Sequence, residues 1–173
     1  YTASVEKRFK SPGPQPNGLQ AAEDGQFLAG GHTLLPTLKQ RLARPSDLID
    51  ISQIGELSGI SVEGDTVTVG ATTTHAEVNG SNAVHGAISA LADLAGMIGD
   101  PQVRHRGTIG GSAAHADPAA DYPAVLLAHE ATFRVAGGPK RRTIRADRMF
   151  IDAFTTALDD GEIIVEVRLP STP

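Results

Sequence analysis

The chain has 173 residues, 40% of them hydrophobic and 20% charged, a formal net charge of −5 and a pI near 5.6. That balance suits a folded domain with a real core and excludes broad electrostatic attraction to nucleic acid or an anionic membrane. It contains no cysteine, which excludes disulfides, cysteine-ligated zinc and any iron–sulfur cluster held by this chain alone.

Residues 1–24 are polar and carry Pro12, Pro14 and Pro16, so an irregular arm is expected there, with a short helix possible over Leu19–Asp24. Gln26–Ala29 reads as a buried strand. Leu34, Leu35, Leu38 and Leu42 have helical spacing, and Pro45 ends the helix. Leu48–Ile51 reads as a second strand. Strand, helix and strand within residues 25–52 predict a small βαβ lobe with a parallel pair.

Residues 53–173 predict a larger, mainly antiparallel α+β lobe. Ile60–Val62 and Thr66–Val69 alternate around Glu63-Gly64-Asp65, which is a hairpin pattern. Thr74 followed by Glu77 is a capping box. Asn79–Asn82 reads as a loop, and Val84–Ile98 as one helix capped by Asn82 and ended by Gly99. Asp100-Pro101 reads as a turn. Asp117-Pro118 predicts a helix start, with the helix running to about His129. Ala131–Ala136 and Arg141–Arg145 are expected strands flanking a Gly137-Gly138 hairpin turn. A short helix over Ala146–Ile151 and a last strand over Ile163–Leu169 follow.

Two glycine pairs stand out. Ala29-Gly30-Gly31-His32-Thr33 joins a strand to a helix. Thr108-Ile109-Gly110-Gly111-Ser112 lies in the larger lobe. Such turns free backbone N–H groups for an anion and let a ligand approach without a Cβ in the way. Neither fits GxGxxG or a Walker loop. Thr33 and Ser112 are read either as phosphate ligands or as helix caps. Asp121 is read either as a ribose ligand or as a helix-dipole partner. His105, His115, Asp117 and Asp121 match no standard metal spacing, so no metal site is expected. Arg104 with Arg106 and Arg141 with Arg142 form basic clusters, read as solvated surface or as a docking patch for an acidic partner. No hydrolase triad or catalytic side chain is evident. No apolar run is long enough to span a membrane, and no signal-peptide core is seen, so a cytoplasmic location is expected.

FLAGGHTLLP at 27–36, QRLARPSDLIDI at 40–51 and DPQVRHRGTIGGSAAHADPAADYPAVLLA at 100–128 resemble the FAD-binding medium subunits of molybdenum hydroxylases. The likeness is to the aerobic carbon monoxide dehydrogenase and xanthine dehydrogenase family. It covers about residues 25–170. It implies the two-lobed PCMH-type FAD-binding fold, without the family's C-terminal domain. It also implies non-covalent FAD, with Ala29, Gly30, Gly31, His32, Thr33 and Leu34 around the pyrophosphate. Thr108, Ile109, Gly110, Gly111 and Ser112 would form a second loop, Asp121 would bond the ribose, and Ile98 and Ile164 would pack near flavin and adenine.

The implied role is electron transfer within an oxidoreductase. A large subunit would carry the molybdopterin cofactor and a small subunit two [2Fe–2S] clusters. FAD would pass electrons to NAD, a quinone or oxygen. Two alternatives stand beside this. One is a self-contained oxidase of the vanillyl-alcohol oxidase type with FAD linked to His32. The other is a non-catalytic interaction remnant.

Overall fold

The computed structural model describes residues 25–137 and 141–171. The expected arm over 1–24 and the Gly138–Lys140 part of the hairpin turn lie outside them. The fold is α+β. Strand β1 (Gln26–Leu28), helix α1 (Leu34–Lys39) and strand β2 (Leu48–Asp50) form the expected βαβ unit, with β1 and β2 parallel. A 3₁₀ turn, Gly55–Leu57, leads into the hairpin of β3 (Ile60–Glu63) and β4 (Thr66–Gly70).

The larger sheet has the order β3-β4-β9-β5-β6 and is antiparallel throughout. Its other strands are β5 (Thr132–Ala136), β6 (Arg142–Arg145) and β9 (Ile163–Pro170). Side chains alternate across it with period two. Val67, Val69, Phe133, Val135, Val167 and Leu169 are buried on one face. On the other face, Glu166 Oε1 accepts from Arg134 Nη1 at 3.1 Å and from Arg168 Nε at 2.6 Å.

The register of β5 on β9 shifts between Arg134 and Val135, because Glu166 pairs with Arg134 and Ile164 with Val135. Val165 is the extra residue of a bulge. It places Ile164 in the main core, while Ile163 joins a second cluster with Ile51, Ile54 and Leu57. Phe27, Ala29, Ile49 and Val165 pack around that second cluster, which fastens the βαβ unit to the sheet.

Helices cover the buried face. Helix α2 (His75–Gly80) starts with the expected capping box: Glu77 N donates to Thr74 Oγ1, and Thr74 N donates to Glu77 Oε2 at 2.7 Å. The region read as loop and then one helix differs. Helix α3 (Asn82–Ala87) begins only one residue after α2, and Ser81 rather than Asn82 caps it. Helix α4 (Ser89–Met97) is separate, because Ile88 leaves helical geometry at φ −144°, ψ 79°. Burial of Ile88 at 3% exposed offsets the lost helical continuity. Gly99, at φ +53°, turns the chain beyond α4.

Asp100-Pro101 is not a simple turn. It caps and starts α5 (Pro101–Arg104), with Val103 N donating to Asp100 Oδ1 at 2.9 Å. The second glycine pair lies inside the first turn of helix α6 (Ile109–His115). The predicted helix start at Asp117 is also corrected. Asp117 Oδ1 accepts from Ala119 N in a tight turn, and helix α7 (Tyr122–Ala128) begins five residues later. Ala116, at φ +49°, ends α6 so close to Asp117 that this residue is used in the turn. After β6 come α8 (Ala146–Met149), β7 (Phe150–Asp152) and β8 (Thr155–Thr156). The expected helix therefore stops at Met149 and becomes a strand. Among the described residues no helix is long and apolar enough to cross a membrane.

Candidate functional site

The first glycine turn is built by a break between β1 and α1. Gly31 sits at φ +73°, where a side chain is strained. Leu35 N donates to Gly31 O, and Thr37 donates to Thr33 O through both its N–H and its hydroxyl. Among the described residues, the N–H groups of Gly30, Gly31, His32, Thr33 and Leu34 donate to no described group. Five consecutive amides thus border an opening without partners among the described residues, a situation that a folded chain meets with water or a ligand.

The second motif is different. Ile109 N donates to Thr73 O at 3.1 Å, Gly110 N to Ala71 O at 2.9 Å, Gly111 N to Thr108 Oγ1 at 3.1 Å and Ser112 N to Thr108 O at 3.0 Å. Its amides are consumed in docking α6 onto the end of β4 and in capping the helix. Gly110 is required by that docking, since a Cβ there would lie 2.5 Å from Ala71 Cβ.

The first motif packs backbone to backbone on the two residues that precede the second. A Cβ on Gly30 would lie 1.9 Å from Arg106 O and 3.1 Å from Gly107 Cα. A cavity of about 740 Å³ opens along this seam. That is ample for a large organic cofactor. Of the residues singled out from sequence, Ala29, Gly30, Gly31, His32, Thr33, Leu34, Ile98, Thr108, Gly111 and Ser112 line it. Ile109 and Ile164 are enclosed in the core instead, and Gly110 packs on Ala71. Asp121 is exposed at the start of α7 with no side-chain capping bond, one residue beyond the lining residue Ala120.

Sequence reasoning missed His75, Val103, Gly107 and Ala120 on the cavity wall. Nothing marks His75 in the sequence except its place just after the capping residue Thr74. Of the remaining candidates, His115 and Asp117 also line the cavity, while Arg104 and Arg142 are engaged elsewhere. Arg104 Nη1 donates to the carbonyls of Ile98 and Gly99, and so closes the C-terminal end of α4. Arg142 clamps the buried Glu162 through Nε at 3.0 Å and Nη2 at 2.7 Å. Those two arginines are structural. His105 Nδ1 bonds Pro101 O, and His115 stacks on Phe154 with ring centroids 5.1 Å apart.

His75 is 4% exposed, and its Nδ1 lies 3.2 Å from the hydroxyl of Tyr122, which is fully buried. Burial, with a smaller contribution from His32, pushes the His75 imidazole down to about 4. Burial pushes the Tyr122 phenol up. The folded value for His75 lies below its ordinary 6.5, so between those values the unfolded chain binds more protons. Stability through this group is complete above pH 6.5 and declines as pH falls toward 4. From pH 7 to 5 the expected loss is about 2 kcal/mol. Urea unfolding at both pH values should show that loss in the wild type, and a clearly smaller one in His75→Asn. Equal losses would remove His75 as the cause.

The family profile described as the FAD binding domain in molybdopterin dehydrogenase matches residues 17–172. The carbon monoxide dehydrogenase medium chain of Hydrogenophaga pseudoflava is 47% identical over 152 residues, covering 88% of this chain and 53% of that one. The nicotine 6-hydroxylase medium subunit of Paenarthrobacter nicotinovorans is 41% identical, over 90% of this chain and 55% of its own. Among solved structures, a carbon monoxide dehydrogenase from Hydrogenophaga pseudoflava superposes with a TM-score of 0.86 at 47% identity, covering 89% of this chain and 54% of that one. The quinoline 2-oxidoreductase of Pseudomonas putida 86 gives 0.85 at 34% identity, over 88% of this chain and 53% of that one. The chain spans about half the length of the relatives it matches.

Proposed function

Because the chain belongs to the family of FAD-binding domains in molybdopterin dehydrogenases, we propose that it holds FAD non-covalently along the seam between its two glycine motifs. The row of amides from Gly30 to Leu34, which donate to no described group, carries this reading. It offers donors to a diphosphate where no Cβ blocks approach. Thr108, Gly111 and Ser112 form the opposite wall, and Ile98 supplies an apolar face for a ring. Asp121, at the start of α7, is assigned to the ribose hydroxyls of the adenosine half. Ile164, expected near the flavin or adenine, lies in the core and is not among the cavity-lining residues.

Bound FAD supplies the two-electron redox chemistry, and the chain supplies binding, orientation and electrostatic setting. We further assign this domain to the medium subunit of a molybdenum hydroxylase oxidoreductase. In that assembly a large subunit carries the molybdopterin cofactor and a small one carries two [2Fe–2S] clusters. FAD held by this chain would supply the redox chemistry linking such clusters to NAD, a quinone or oxygen as acceptor. The absence of cysteine suits such a division of labour. The named relatives, a carbon monoxide dehydrogenase medium chain and a nicotine 6-hydroxylase medium subunit, support it.

The test is direct. The purified chain is incubated with FAD and desalted, and its visible spectrum is recorded before and after acid precipitation. Retained flavin that acid releases into the supernatant is expected. A folded chain that retains none would overturn the reading. Flavin remaining with the precipitate would favour a covalent link through His32.

A further inference from the structure

Tyr122 is fully buried, and its hydroxyl hydrogen needs an acceptor. Among the described residues the polar atom bonded to it is His75 Nδ1, at 3.2 Å. If Nδ1 carried the proton, the Tyr122 hydroxyl would have no acceptor among the described residues. Tyr122 therefore donates, Nδ1 accepts, and the proton of the neutral ring sits on Nε2. That nitrogen faces Gly107, where a Cβ would lie 2.6 Å from it. Nε2 donates to no described residue, although His75 is 96% buried, and His75 lines the cavity. The ring is held in place, because His75 N donates to Gly107 O at 3.0 Å and the Thr74–Glu77 capping box fixes its turn. Gly107 is also the residue that Gly30 packs against. His75 and the Gly30–Leu34 turn thus both pack on Gly107 or its neighbour and line the same cavity.

We propose that His75 is a further cofactor-holding residue, whose Nε2–H donates to a diphosphate oxygen of FAD. The proposal rests on the FAD reading above. Tyr122 acts through it as a positioning residue by fixing the tautomer. A neutral donor adds one hydrogen bond to the backbone set without adding a charge to the seam.

The experiment measures the FAD dissociation constant of the 173-residue chain as wild type, His75→Asn, His75→Gln and Tyr122→Phe. It is combined with ³¹P spectra of bound FAD and ¹⁵N spectra of the histidine rings. Asparagine keeps an acceptor near the Nδ1 position and removes the Nε2 donor; glutamine places an amide N–H near Nε2. His75→Asn should bind FAD about tenfold more weakly, with a shifted ³¹P resonance. His75→Gln should recover most of that affinity. The wild-type spectrum should show the Nε2–H tautomer, and Tyr122→Phe should show a mixture with weaker binding. Wild-type affinity and an unchanged ³¹P resonance in His75→Asn would overturn the assignment, as would an Nδ1–H tautomer in the wild type. Weakened binding with an unmoved ³¹P resonance would also overturn it, because the donor would then serve another part of FAD. A wild-type chain that takes up no FAD overturns the FAD reading itself, which is a separate outcome.

Discussion

Gly30→Ala should weaken FAD binding at least about a hundredfold, while the chain stays folded. The added methyl would lie 1.9 Å from the Arg106 carbonyl oxygen. Both partners are backbone, so no rotamer change relieves the overlap, and the seam must open by about 1 Å or more. The displaced segment is the one that carries the free amides, so cofactor geometry suffers more than the core does. Gly55→Ala is the matched control, because a Cβ there meets nothing within 4 Å. Fluorescence titration with FAD decides the matter. Wild-type affinity in Gly30→Ala would mean that the seam is not where the cofactor is gripped.

Gly110→Val should cost about 3 kcal/mol of global stability, a fall of roughly 6–12 °C in melting temperature for a chain of this size. Its Cβ would lie 2.5 Å from Ala71 Cβ and 2.6 Å from Ala71 O, the same carbonyl that accepts from the Gly110 amide. The branched side chain forces α6 off the end of β4 and breaks that bond. Gly111→Ala is the informative neighbour. Its Cβ meets only Thr108 Oγ1, at 2.8 Å, and should cost less than about 1 kcal/mol. Calorimetry on the two variants would separate a packing glycine from a tolerant one. Equal melting temperatures would contradict the docking role of Gly110.

What was legible in the sequence were features written in short spans of chain. The βαβ unit follows from apolar spacing between two breakers, and the β3–β4 hairpin from alternation around Glu63-Gly64-Asp65. The Thr74 capping box needs only four residues. The family resemblance added the two-lobed FAD-binding fold and FAD. What escaped depends on distant partners. The periodicity of Val84–Ile98 runs unbroken through Ile88, so only its burial among residues far along the chain reveals the break. Asp117-Pro118 and Asp121-Tyr122-Pro123 both look like helix starts. The left-handed turn at Ala116 decides between them, and it cannot be read locally.

The glycine pairs show the same limit. They read alike in sequence, yet one presents free amides and the other is fully engaged. The difference lies in the carbonyls of Ala71 and Thr73, which wait for the second pair and not for the first. His75 became visible only when Tyr122, forty-seven positions away, was placed against it.

The extra residue at Val165 makes β9 a mechanical anchor. A pull on the small lobe passes through Ile163 and Val165 into the central strand of the sheet, which is paired along both edges. Ile51, Ile54 and Leu57, in the segment joining the lobes, share that contact. The first glycine turn is therefore tied, through Ala29 and Phe27, to the one strand that joins the two halves of the larger sheet.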